Sequence, residues 1–105
     1  MIYLGTIANA GSDVLDNTNT AAPFTIPAGT TRLFVQPSTA TQMASVGTAG
    51  AFAPTAAQML QLGAANSIQE VPVSYNMTTG KQLPTVLAIR KTDAGAGTCK
   101  VFAAA

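Results

Sequence analysis

The 105-residue chain has no histidine, no tryptophan and a single cysteine, and it carries only five basic and four acidic side chains. Each shortage removes a class of function. Without histidine the most frequent general base and the most frequent metal ligand are missing, and no serine or threonine can hand its proton to an imidazole. One cysteine allows no intramolecular disulfide, so a domain of this size must hold by packing or through partners. The cations Arg32, Lys81, Arg90, Lys91 and Lys100 are scattered and have no interleaved aromatics, so no phosphate-tracking groove and no nucleic-acid partner is expected. No window approaches the roughly 18 consecutive apolar residues of a membrane helix, so the chain reads as soluble with no membrane partner. Ala8-Asn9-Ala10 has the form of a signal-peptidase site, but no basic region precedes it and Gly5 and Thr6 break the short apolar run, so it is not read as one. These shortages point away from an enzyme, and no catalytic residue, cofactor or metal site is expected.

What is present is an Ala-, Thr- and Gly-rich chain with a net charge of +1, too little to keep copies apart by repulsion. A chain of this length should expose roughly 5,500 Å² of the about 15,000 Å² of its extended form, enough for one modest core. We expect a single domain, with residues 1–20 as an N-terminal strand and arm and residues 21–105 as the body.

Period-two patterns dominate. Residues 2 to 8 read as a first strand, and 9 to 20 as a polar loop crossing the surface. Pro23 to Pro27 is extended because each proline fixes φ, and Ala28-Gly29 supplies a turn. Thr31 to Gln36 is the cleanest alternation, with Leu33 and Val35 on one face and Arg32, Phe34 and Gln36 on the other. Thr41 to Val46 is the next strand. Pro54 to Leu62 fits either a two-turn helix or a strand, and the strand is favoured because Met59, Leu60 and Leu62 make no helical stripe. Ile68 to Tyr75 follows with Pro72 as an edge signal, and Asn76 to Gln82 is a turn. Thr85 to Lys91 and Thr98 to Ala103, joined by residues 92–97, give the strongest hairpin signal. Six to eight short strands at this spacing mean an all-β antiparallel β-sandwich, jelly-roll-like.

Few side chains suggest chemistry. Asp13 and Asp16 lack the alternating oxygen ligands of a calcium loop and are read as satisfying loop backbone. Glu70 and Asp93 lie in separate elements, and the glycines at 95 and 97 are turn glycines rather than a phosphate cradle. Alternation puts Lys100 opposite Cys99, so the thiol reads as a small apolar core residue. Large apolar groups do stand on the outer side of two strands, Phe34 opposite Leu33 and Val35, and Phe102 opposite Cys99 and Val101. Such two-sided strands need a covering loop or a neighbouring subunit. Phe34 and Phe102, with Arg32 and Tyr3, are the candidate subunit-contact residues, and a homo-oligomer is expected.

The run Phe24-Thr25-Ile26-Pro27-Ala28-Gly29-Thr30-Thr31-Arg32-Leu33-Phe34-Val35, a Gly-broken middle and the closing Leu87-Ala88-Ile89 and Cys99-Lys100-Val101-Phe102 segments resemble small β-sandwich structural proteins of tailed bacteriophages. The likeness covers residues 22 to 103 as a general style and transfers no site residue. It implies a virion component made in the host cytoplasm, a capsid decoration or cement subunit that binds the major capsid protein or other virion subunits in many copies. Its rivals are a receptor- or glycan-binding module of a fibre or tail, for which the aromatic platform is thin, and a self-assembling tail or head-completion protein. On the decoration reading, residues 1–20 would order on a neighbour and be dispensable for folding.

Overall fold

The computed structural model describes residues 1–10, 14–27, 30, 32–40, 42–47, 56–71, 86–91 and 96–104. The elements are β1 (Ile2–Ala10), β2 (Val14–Asp16), β3 (Arg32–Pro37), β4 (Gln42–Gly47), a 3-10 turn (Ala56–Gln58), β5 (Leu60–Gln61), β6 (Gln69–Val71), β7 (Val86–Lys91) and β8 (Ala96–Ala104). They form two four-stranded antiparallel sheets, sheet A in the order β1-β8-β3-β6 and sheet B in the order β2-β7-β4-β5. Pairing is nested: β1 with β8, β2 with β7, β3 with β6, and β4 with β5. One long hairpin rolled across two layers gives this order, so the β-sandwich is a jelly roll, as expected from the sequence. The accessible surface of 5488 Å² is what a chain of this length leaves exposed after building a single core.

Alternation along the strands turns into two faces. On β3, Leu33 and Val35 are completely buried while Arg32 is exposed and Phe34 half-buried. On β8, Cys99 and Val101 are completely buried while Lys100 points to solvent. These side chains meet Ile7, Ala44, Leu87 and Ile89 between the sheets. Sheet B buries a smaller apolar cluster on its outer side as well. Met43 and Ala88 stand opposite the core-facing Ala44 and Ile89 and pack with Met59, so β7 is buried on both faces from Val86 to Ile89.

Four expectations change. Gly97, read as a turn glycine, lies in β8 opposite Asn9. The segments 85–91 and 98–103 do not form a hairpin, because β7 lies in sheet B and β8 in sheet A. Only a very short turn obliges its flanking strands to pair, and here each strand finds its partner near the other end of the chain. The N-terminal segment is not a free arm. β1 pairs along β8, with Ile7 wholly buried, and residues 14–16 form β2 against β7 instead of wandering over the surface. Segment 54–62 is divided between the two readings, a 3-10 turn at Ala56–Gln58 and then the short β5. The strand expected over 68–75 is described only at Gln69–Val71. The turns at 28–29 and 76–82, the residues 92–95, and Asp13 and Asp93 lie outside the described residues.

β1 carries a bulge between Tyr3 and Gly5, where Leu4 is the extra residue against β8. The bulge sets Tyr3 outward while Leu4 packs onto the core. Gly5 faces the ring of Phe24, and a β-carbon there would fall 2.3 Å from the Phe24 Cδ1. Phe24 thus closes the β1 edge of the sandwich against a backbone that has no room for a side chain. Pro23 to Pro27 joins neither sheet.

Candidate interaction surface

Register, not sequence proximity, assembles the four candidate contact residues. Tyr3 lies opposite Phe102, Phe102 lies opposite Phe34, and Phe34 lies opposite Glu70, so one row crosses sheet A from β1 to β6 on its outer face. Neighbouring strands are about 4.8 Å apart, which brings the three rings into a continuous strip. The Tyr3 and Phe102 ring centroids are 5.6 Å apart at 61°, an edge-to-face contact. Arg32, two residues before Phe34 and therefore on the same face, lays its guanidinium 4.9 Å from the Phe34 ring centroid. Its Nε donates to Glu70 Oε1 at 2.8 Å, and its second nitrogen reaches Glu70 Oε2 at 3.4 Å.

The strip has polar borders. Thr6, Lys100 and Gln36 lie in register on one side of it, Arg32 and Ala104 on the other. The Tyr3 hydroxyl and Thr6 Oγ1 are 2.6 Å apart in a hydrogen bond that fixes the ring at the β1 end. Gln36 Nε2 donates to the Asn66 carbonyl at 2.9 Å. The hydrogen bond from Arg32 holds the Glu70 carboxyl below the usual carboxylate range, and Glu70 raises Arg32 in turn. Both groups are in water, so the pair orients the Arg32 side chain more than it stabilises the fold, and salt weakens it.

All four residues read from the sequence as contact candidates therefore share one face. Glu70 and Thr6 were not anticipated. Their roles depend on strand register between segments far apart in the chain, for which the sequence carries no local signal. Tyr3 and Phe102 meet edge to face, so these two rings do not form the single flat platform on which a sugar stacks. The face joins exposed apolar area, one fixed ion pair and the exposed Lys100, the mixture found at protein–protein contacts.

The remaining polar groups have structural roles. Asp16 Oδ1 accepts from the backbone N–H of Thr18 at 2.7 Å and of Asn19 at 3.1 Å, so the carboxylate satisfies its own loop. Among the described residues no three acidic, cysteine or histidine side chains gather as a metal site would require. Cys99 is core, and burial pushes its thiol up to about 12. Native protein should resist thiol reagents at neutral pH and react only as fast as it opens, which a colorimetric thiol assay with and without denaturant checks. The neutral thiol's contribution to stability is complete below about pH 9 and disappears as pH rises toward 12, because the unfolded chain ionises first. Cys99→Ser should flatten that alkaline slope; an unchanged slope would contradict the assignment.

No protein-family model, curated protein or solved structure matches the chain. No helix among the described residues is long and apolar enough to cross a membrane.

Proposed function

We propose that this chain is a structural protein of a tailed-bacteriophage virion, a capsid decoration subunit that lies on the shell through the outer face of sheet A. The observation that carries the reading is the row Tyr3, Phe102, Phe34, flanked by the Arg32–Glu70 pair, on a face with no covering element among the described residues. Support also comes from the low charge, from the resemblance of residues 22 to 103 to phage β-sandwich proteins, and from the jelly roll, a fold used by viral capsids and by lectins alike. The fold by itself does not select a function.

On this reading the protein works by adhesion. The aromatic strip leaves water against a shell subunit, while Lys100 selects acidic neighbours at its rim. Each contact is weak, and many copies bound at once to a repeating lattice make the coat persistent.

The test uses purified chain and shells of the phage that encodes it, freed of the protein and then reloaded. Phe102→Lys places a charge in the middle of the strip, on a side chain that already reaches solvent. Occupancy on the shells should fall at least tenfold, with the melting temperature within about 3 °C of wild type. Equal occupancy of variant and wild type, or absence of the chain from the particle, would remove the proposal.

A further inference from the structure

We infer that copies of this chain join head to tail, the β1 edge of one copy against the β5 and β6 edge of the next. The two sheets stack with β1 beside β2 at one side of the sandwich and with β5 and β6 at the other. Exposed large apolar residues collect at both of these edges. Met1 and Ile2 are 65% and 70% exposed at one, Leu60 and Ile68 are 52% and 49% exposed at the other. β2 is only three residues long and starts four positions after β1 ends, so among the described residues it lies beside the far end of β1, away from Met1 and Ile2. At the opposite side, the chain crosses from β5 to β6 with Gly63 N–H donating to Gln69 Oε1 at 3.0 Å, which holds Leu60 and Ile68 on one rim.

Charge marks the occupant as a second copy. Exposed strand edges are ordinarily guarded by lysine, glutamate or proline, which prevent one sheet from adding to another. Residues 1–10 contain no charged side chain and no proline, and residues 56–69 contain none either. Glu70 on β6 is the one charged side chain on β1, β5 and β6, and Arg32 of the same copy holds it, so the two edges do not repel each other. Strand direction agrees. Each sheet has four strands, each antiparallel to its neighbours, so β1 and β6 run in opposite directions, as do β2 and β5. A copy added without inversion therefore continues both sheets in antiparallel sense. One contact type covers both apolar rims, whereas a twofold contact of β1 with β1 would leave Leu60 and Ile68 exposed. Thr20 Oγ1 already accepts the Ala8 N–H at 3.1 Å, so the open part of the β1 edge is its N-terminal end.

This contact is separate from the aromatic face and does not depend on the virion reading, because it is measured in solution without particles. Head-to-tail addition also keeps every sheet A face on the same side of the assembly.

The experiment is mass measurement by sedimentation and light scattering, up to roughly 200 μM, a range that captures dissociation constants near 0.1 mM. Wild type should grow with concentration beyond the dimer. Ile2→Lys and Ile68→Lys alter exposed side chains and should melt within about 3 °C of wild type. Each alone should be monomeric. Mixed in equal amounts, they retain one intact rim each and should form a heterodimer and nothing larger. A wild type that stays monomeric or stops at the dimer would overturn the inference, as would an Ile68→Lys variant that assembles like wild type.

Discussion

Removal of residues 1–10 should leave a chain that does not fold. β1 is the whole edge of sheet A on one side and pairs with β8 from Ile2↔Ala103 to Ala10↔Ala96. Losing it strips one side of β8 of its ladder and opens the core where Ile7 is completely buried. Truncating Ile7 alone to alanine should cost about 3 kcal/mol, the ordinary range for a buried aliphatic side chain. The full deletion adds the loss of Leu4 packing and exposes the apolar side chains of Cys99, Val101 and Phe24. A domain of this size has roughly 5–15 kcal/mol in total, so the deletion should exceed what is available. The deleted chain should show no cooperative melt by circular dichroism and no amide dispersion by NMR. A cooperative transition in that chain would mean that the β-domain stands without its first strand. Because the variant lacks a native fold, its failure to bind shells would say nothing about which face docks.

The inner and outer faces of β3 and β8 were legible because the period-two rule acts locally. Leu33, Val35, Cys99 and Val101 alternate with Arg32, Phe34, Lys100 and Phe102, and burial follows the same alternation. Pairing was not legible for the same physical reason. A strand's sequence states which side chains face inward but not which edge receives its hydrogen bonds, and the pairs of β7 with β2 and of β8 with β1 join residues from Asp16↔Ala88 to Ile2↔Ala103, most of the chain apart. Val86 to Ile89 is apolar at four consecutive positions, the pattern of a strand covered on both faces, but Val101 to Ala104 is apolar over four positions as well, so apolar runs do not tell the partners of the two strands apart. The contact face followed the same division. The outward direction of Phe34 and Phe102 could be read from alternation, while their alignment with Tyr3, and the bulge that turns Tyr3 outward, depend on register alone.

Least legible were the buried polar side chains inside what reads as loop sequence, and Asn17→Ala should have the largest effect of any single loop substitution. Asn17 is 2% exposed, directly after the end of β2. Its Oδ1 accepts the Leu87 N–H at 3.0 Å, taking the place of a backbone carbonyl where the β2 ladder against β7 has run out. Its Nδ2 donates to the Phe24 carbonyl at 3.0 Å, and the Phe24 N–H returns to the Asn17 carbonyl at 2.9 Å. One side chain thus joins sheet B to the segment that seals the β1 edge. Alanine would leave the Leu87 N–H buried with no acceptor and release Phe24 from its position over Gly5. An orphaned buried donor costs about 1–3 kcal/mol, and the second lost bond brings the expected destabilisation to about 3 kcal/mol. Calorimetry should show this as a fall of roughly 12–18 °C in melting temperature. Asn17→Asp separates hydrogen bonding from mere side-chain volume. Its ionised carboxylate accepts from Leu87 but cannot donate to Phe24, and it buries a charge. The protonated acid does both, so the deficit of the Asp variant relative to wild type should shrink as pH falls toward about 4. A loss under about 1 kcal/mol for Asn17→Ala, or a pH-independent deficit for Asn17→Asp, would show that the two sheets are held at this edge by packing of Phe24 and Ile26 rather than by the amide.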